Sequence, residues 1–324
     1  MINGIINVYK EPGFTSHDVV AKLRGITKQK KIGHTGTLDP DAEGVLLVCL
    51  GAATRVCDML TDETKEYEAE LRLGITTDTQ DMSGEILREG SVDGLDEERI
   101  RECIMGFVGD IDQIPPMYSA IKVGGKKLYE LARAGREVER KPRRITIYEI
   151  EIKSISLPVV TMMVKCSKGT YIRTLCNDIG ERLGCGGAMQ HLTRTEVGRF
   201  GIDTSHRLAE IEGLMKAEQL KEVLFPVTKV FEDLPSAQVK DQAIKAAQNG
   251  NMLKAGDLKI MDPVVNTKEN ENRVELSNIT GSEGTISLHN NEQILVFGKN
   301  AFLYGVYEYR SKESVFAPVK MFFC

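Results

Sequence analysis

Residues 33 to 40 of the chain read GHTGTLDP, and two of those side chains, His34 and Asp39, can do chemistry. Asp39 has two readings. Followed by Pro40, which suits a first helical position, it reads as an N-cap or an Asx turn. Read chemically, it is an ionised carboxylate that attacks a carbon or removes a proton, and such a group needs a cation to keep it charged and aimed. A guanidinium gives planar, two-pronged contact, and SKGTYIRTL supplies Arg173 beside Tyr171, at the start of a predicted helix. The bland reading of those two is a surface ion pair and a half-buried core tyrosine. Phosphate-loop chemistry does not fit, because GHTGTLD lacks the Lys-Ser/Thr of a P-loop and its glycines do not make G-x-G-x-x-G. A hydrolytic carboxylate pair, Asp39 with Asp41 or Glu43, lacks both metal ligands and acid/base spacing. Asp41 and Glu43 are expected to face solvent, since nearby negative charge disfavours an ionised Asp39.

No metal or cofactor is expected. The seven cysteines include no C-x-x-C pair, and none of the five histidines pairs with another at metal-ligand spacing. Net charge is −5, yet residues 122–144 carry nine Lys or Arg against three Glu. A second basic cluster, Lys22, Arg24, Lys28, Lys30 and Lys31, leads into GHTG. Positive charge concentrated on an otherwise acidic chain reads as a polyanion-binding face, with a solvated helix face as the alternative.

The 324 residues, 41% apolar and 27% charged, have globular proportions and suffice for a main core and a smaller unit. The longest apolar runs are too short to cross a bilayer, and MINGIINVYKEPG has no secretory pattern, so the expectation is a soluble, cytoplasmic protein without a membrane partner.

Several elements must position the candidate residues. Ser16 is the expected N-cap of a helix over 17–30, with Val19, Val20, Leu23 and Ile26 on one face. Val45 to Leu50 is a buried strand or helical turn, and YEAELRLG (67–74) alternates as a strand. TTDTQDMSGE follows as turn chemistry, and 95–107 is an amphipathic helix. Residues 114–144 open on a Pro pair, contain a Gly pair and carry dense positive charge, which predicts a protruding, partly mobile arm. Residues 145–157 and 159–167 are paired strands about Pro158, 171–184 is a helix stopped by glycine, and 189–200 is a strand. Residues 226–238 read as a linker. Beyond them come a short helix, strands in 292–310 and a polar surface loop at 266–278, a small and mainly β unit. Strands and helices without regular βαβ punctuation predict an α+β fold.

These blocks resemble a known family. GIINVYKEPGFTSHDVV, GHTGTLDPDAEGVLLVCLGAATR, KEYEAELRLGITTDTQD, IPPMYSAIKVGGKKLYELAR, CSKGTYIRTLCNDIGERLGC and HLTRTEVGRF, spanning roughly residues 3 to 200, resemble the TruB family of bacterial tRNA pseudouridine synthases. The tail from about residue 238 resembles a PUA-like RNA-binding domain. The resemblance implies a pseudouridine-synthase-like mixed, mostly antiparallel central sheet flanked by helices, with a small β-barrel-like domain after it. It implies a catalytic domain over 1–230, bearing the 114–144 arm, and an RNA-binding domain over 238–324. The implied reaction is isomerisation of the uridine at position 55 in the TΨC loop of tRNA. The base is detached from C1′, rotated and rejoined through C5, without metal or cofactor.

Carried over by motif position, Asp39 is the essential carboxylate, acting at C1′ or on a sugar proton, and Arg173 pairs with it. Tyr67 stacks on the base and assists proton removal from C5, Tyr171 and Leu192 line the pocket, and His34 holds everted nucleotides. The partner is the T-arm of tRNA, with Lys31, Lys122, Lys126, Lys127, Arg133, Arg136, Arg143 and Arg144 as the expected RNA contacts. The rival of a different class is a tRNA-binding or RNA-folding protein without chemistry, against which the Asp39, Tyr67 and Arg173 set argues.

Overall fold

The structure is a computed structural model and describes residues 1–261, 274–277 and 285–322. The chain forms two compact units. One comprises Ile6–Cys49 and Val56–Leu224; the other comprises Met1–Ile5, Leu50–Arg55 and Phe225–Cys324.

The first part of the chain runs β1 (Gly4–Lys10), α1 (Ser16–Thr27), β2 (Ile32–His34), β3 (Glu43–Leu50), α2 (Cys57–Asp62) and β4 (Lys65–Leu73). A small hairpin, β5 (Ile75–Thr77) and β6 (Ile86–Glu89), precedes α3 (Glu97–Met105) and β7 (Gly109–Gln113). Next come β8 (Lys122–Val123), β9 (Lys126–Lys127), α4 (Leu128–Arg133), β10 (Arg143–Ser156) and β11 (Val159–Cys166). The series continues with α5 (Ile172–Leu183), β12 (Gly187–Val197), β13 (Phe200–Gly201), α6 (Leu208–Lys216) and β14 (Leu224–Phe225).

The central sheet has the order β14-β1-β3-β12-β4-β11-β10-β7. The β12–β4, β4–β11, β11–β10 and β10–β7 pairs are antiparallel, whereas β12 meets β3 in parallel. This is the mixed, mostly antiparallel α+β architecture expected. Alternation explains β4: Lys65, Tyr67, Ala69, Leu71 and Leu73 point inward, while Glu66, Glu68, Glu70 and Arg72 face outward. The inward set joins Ile100 and Ile104 of α3 and Ile172, Leu175, Ile179 and Leu183 of α5 in one core. Each such aliphatic side chain contributes roughly 1.5–3 kcal/mol by leaving water. Helix α5 lies so close to β12 that a Cβ at Gly180 would stand 2.1 Å from the Gly187 nitrogen, so only glycine permits this seat for the helix that carries Arg173.

The basic arm is a topological excursion. β7 ends and β10 begins at the same rung, Gln113 opposite Arg143, so residues 114–142 leave the sheet and return to one point. Hairpin β8–β9 and helix α4 lie within that excursion.

The second unit contains β15 (Ser236–Val239), α7 (Ile244–Gln248), β16 (Leu253–Lys254), β17 (Leu258–Ile260), β18 (Val274–Ser277) and β19 (Thr285–Leu288), then β20 (Gln293–Phe297), β21 (Leu303–Arg310) and β22 (Val315–Met321). Its main sheet has the order β16-β22-β21-β20-β15-β17 around a core that includes Val239, Ile294, Tyr307 and Phe316, a β-barrel-like unit. Most of the polar stretch 266–278 lies outside the described residues; its Val274–Ser277 segment is a strand, not a loop. The end of the expected linker likewise forms β15, because Ala237 and Val239 have a core to enter.

One cap differs from expectation. Thr15, not Ser16, caps α1: its hydroxyl accepts from the Asp18 N–H, and Asp18 accepts from the Thr15 N–H in return. Ser16 is buried, and its hydroxyl accepts from the Leu38 N–H at 3.0 Å instead.

Candidate active site

That Ser16 contact is one of several that fix the backbone around Asp39. The Pro40 carbonyl accepts from the Gly13 N–H at 3.0 Å and from Lys10 Nζ at 2.8 Å. The Gly36 carbonyl accepts from Arg194 Nη2 at 3.1 Å, and the Leu38 side chain is buried in the core. Gly44 closes the far end with φ of +98°; a Cβ there would lie 2.3 Å from the Arg194 carbonyl oxygen. No helix starts at Pro40, so Asp39 is not a helix cap. The loop is held from both sides, and its aspartate is left to other work.

Arg173 meets that aspartate with both edges of its fork. Its Nε donates to Asp39 Oδ2 at 2.9 Å, and its Nη2 to Asp39 Oδ1 at 3.2 Å. Nη2 also donates to the Tyr118 carbonyl at 3.0 Å, and Nη1 to the Thr79 carbonyl at 3.2 Å and to Asp81 Oδ2 at 3.5 Å. One buried guanidinium thus joins three segments far apart in sequence: the Asp39 loop, the 78–83 turn and the base of the arm. Its own position is set by Gln113. That side-chain amide receives the Tyr171 N–H at 2.8 Å and donates to the Tyr171 carbonyl at 3.0 Å, pinning the first turn of α5.

Burial pushes the Asp39 carboxyl above its ordinary range, and Arg173 opposes that push; Asp81 adds to it. The Asp39 side chain nevertheless keeps 39% of its surface accessible against 6% for Arg173. A sheltered carboxylate therefore presents itself to solvent with its cation behind it. Asp81 is tied down: its Oδ1 accepts from Thr79 Oγ1 at 2.7 Å, the Ser83 N–H at 3.0 Å and Ser83 Oγ at 2.5 Å.

Beneath the loop lies a positive floor. Arg194 is 1% exposed, Lys10 is fully buried and Lys65 is 5% exposed. All three spend their donors on carbonyl oxygens: Arg194 Nε on Val45 at 2.7 Å, Lys10 on Pro40 and Glu11, Lys65 on Thr61 and Glu63. Burial pulls Lys10 and Lys65 each down to about 8. Tyr67 stands over this floor, buried and with its phenol pushed up by burial, while hydrogen bonding and charge from Arg194 pull the other way.

The expected site residues converge in part. Asp39, Arg173 and Tyr67 form one group, and Tyr171, half-buried with its phenol raised by burial, feels both Asp39 and Arg173. Leu192 is buried beside Arg194 on the inward face of β12, opposite Ala69 and Tyr67. His34 meets His17 edge to face at 5.3 Å; its Nδ1 is buried without a partner, and burial pulls the ring down to about 4. Asp41 is exposed as expected. Glu43 is not: it is half-buried, bonded to Tyr9 and 3.1 Å from His191 Nε2.

Among the expected basic contacts, Arg143 acts on the Tyr171 phenol. Lys31, Lys122, Lys126, Arg133, Arg136, Arg143 and Arg144 are exposed, and Lys127 is half-buried. Lys127 and Arg133 both stack their charges on Tyr129, and Arg144 faces Asp110 and Asp112 at 3.6 Å. Arg144 is therefore partly neutralised within the protein.

Sequence reasoning missed Asp81, Arg194, Lys10 and the Tyr118 carbonyl. Asp81 sits in TTDTQDMSG, where aspartate reads as a turn former; nothing local announces a guanidinium from residue 173. Among the described residues no group of three or more His, Cys, Asp or Glu could hold a metal ion, and no helix is long and apolar enough to cross a membrane.

A carboxylate gripped by a buried arginine thus stands in a loop over a mixed sheet, with a buried tyrosine in the same group. Residues 24–172 match the TruB family pseudouridylate synthase N-terminal domain, and residues 173–232 match the tRNA pseudouridylate synthase B C-terminal domain. The chain is 49% identical to the tRNA pseudouridine synthase B of Lachnoclostridium phytofermentans over 99% of this chain and all of that one. It is 51% identical to the namesake of Alkaliphilus oremlandii over 78% of this chain and 83% of that one. Among solved structures it resembles a chain of an H/ACA RNP bound to a substrate RNA containing 2'-deoxyuridine, with TM-score 0.70 and 25% identity, covering 99% of this chain and 85% of that one. The chain belongs to the TruB family of pseudouridylate synthases, and its activity is the isomerisation of uridine to pseudouridine in tRNA.

Proposed function

We propose that the protein isomerises the uridine at position 55 in the TΨC loop of tRNA, and that Asp39 is its catalytic carboxylate. The observation that carries the assignment is the Asp39–Arg173 fork: a carboxylate accessible at its face and clamped by a cation at its back. The carboxylate acts on the ribose, as nucleophile at C1′ or as base on the adjacent sugar proton, and the detached uracil rotates and rejoins through C5. Burial raises the reactivity of Asp39 as a base or nucleophile, and Arg173 keeps it ionised and oriented.

A T-loop uridine is stacked, so the enzyme everts it at a cost of a few kcal/mol that aromatic contacts offset. Tyr67, Tyr171 and Leu192 form the walls against which the base rests, and Tyr67 takes the C5 proton. His34, half-buried and neutral at physiological pH, offers its ring to an everted nucleotide. The arm supplies phosphate contacts. Its base is rigid because Tyr118 gives its carbonyl to Arg173 and its hydroxyl to Asp78 at 3.2 Å, so backbone binding and the catalytic pair share one segment. The C-terminal β unit is a further RNA-binding element. Mapping pseudouridine on an unmodified tRNA transcript incubated with the protein tests this reading. Modification confined to the T-loop uridine is expected; modification elsewhere, or none, overturns it.

A further inference from the structure

We infer that Arg194 is a positioning residue for the second half of the reaction, tying the Tyr67 phenol to the loop that carries Asp39. Arg194 and Tyr67 are partners across β12 and β4, both on the inward face. The guanidinium is 1% exposed, with Nε donating to the Val45 carbonyl at 2.7 Å and Nη2 to the Gly36 carbonyl at 3.1 Å, and it stands at the cross-strand position of Tyr67, on whose phenol its charge acts. Gly36 lies in the loop three residues before Asp39, and Val45 is in the strand that leaves it. One rigid fork therefore registers the phenol against the carboxylate loop.

A buried arginine held only by neutral oxygens costs desolvation without the return of a full ion pair. Its charge is used when the phenol gives up its proton, because a phenolate beside Arg194 completes the pair that the resting site lacks. Resting on the reading that Tyr67 acts at C5, the step is as follows. After C1′ joins C5, that carbon still carries hydrogen, and Tyr67 phenolate, formed as the phenol passes its proton to the water that serves N1, takes it as a proton. The C5–H electron pair forms the C5=C6 bond, the C6=N1 π pair withdraws to N1, and N1 takes a proton from water. Arg194 touches no reacting atom; it sets the place and the charge state of the group that does.

The test uses tRNA carrying uridine deuterated at C5, with Arg194→Lys and Arg194→Met compared with the wild type and Tyr67→Phe. Arg194→Lys keeps the buried charge but cannot serve both carbonyls in a plane, so it provides a folded variant even where Arg194→Met does not fold. Both folded Arg194 variants are expected to lose turnover on the order of 10²-fold, to gain a primary isotope effect absent from the wild type, and to bind tRNA as before. A loss of turnover with no isotope effect makes Arg194 merely structural and overturns the inference. An isotope effect in Tyr67→Phe alone overturns the role of Arg194 and leaves that of Tyr67 standing. No isotope effect in any variant overturns the assignment of Tyr67 to C5 itself.

Discussion

Arg173 grips Asp39 across 134 positions of sequence, Nε to Oδ2 at 2.9 Å and Nη2 to Oδ1 at 3.2 Å, while the same guanidinium spends its other donors on Thr79, Tyr118 and Asp81. The pair is a junction as well as an ion pair. Chemistry, the 78–83 turn and the arm base are all registered to one side chain.

Replacing that side chain should therefore act on rate and on fold together. Arg173→Gln leaves two carboxylates and two carbonyls short of donors, and is expected to cost about 3 kcal/mol in urea unfolding, the lower end for a broken buried pair because Asp39 is partly solvated. Its pH dependence carries the sign of the electrostatics. In the wild type, burial holds the Asp39 carboxyl above its ordinary range while Arg173 restrains it, so removing Arg173 moves the acid limb of kcat/KM to higher pH. An acid limb that stays in place detaches Asp39 ionisation from Arg173.

The lysine floor predicts an alkaline signature in stability. Lys10 is pulled from an ordinary 10.5 to about 8 in the folded protein. Below pH 8 both folded and unfolded states hold the proton, and the burial penalty is fully present. Between 8 and 10.5 the unfolded chain holds more protons, so this residue adds stability as pH rises, up to about 3 kcal/mol. Lys10→Met removes that contribution. The difference in unfolding free energy between wild type and Lys10→Met should grow in favour of the wild type across this window; a constant difference contradicts it.

Much of this was legible in the sequence, and what was not has a physical reason. β4 announces itself by strict alternation, β11 by its nearly continuous apolar run, and α5 by its four inward aliphatics with a glycine stop. Arg173 could be named as a candidate partner because a working carboxylate demands a cation, and the family resemblance paired it with Asp39. Asp81 could not, since a turn aspartate and an ion-pair aspartate look alike until the turn is folded against α5. Arg194 was hidden for a similar reason: nothing in HLTRTEVGRF says that the strand is seated between β3 and β4, where this side chain is buried. Glu43 was misjudged because its partners, Tyr9 and His191, come from separate strands. Ser16 looked like a cap because Ser and Thr are both capping residues and the sequence does not say which of two neighbours stays outside the helix.

The arm predicts a salt signature. Lys126 and Arg136 are exposed and Lys127 half-buried on an excursion tied at one rung of the sheet. Charge reversal at all three should weaken tRNA binding and reduce the slope of log K against log salt by about 2 to 3, close to one for each lost phosphate contact. Filter binding across a salt series measures it, and an unchanged slope removes the arm from the interface.

The central claim is that Asp39 does the chemistry that its surroundings protect. Its most direct measurement is single-turnover pseudouridine formation at the T-loop uridine by Asp39→Asn, with tRNA affinity determined on the same preparation. An isosteric amide keeps the shape of the loop and removes the charge, so the predicted result is no detectable pseudouridine at undiminished affinity. Appreciable turnover by Asp39→Asn would contradict the account.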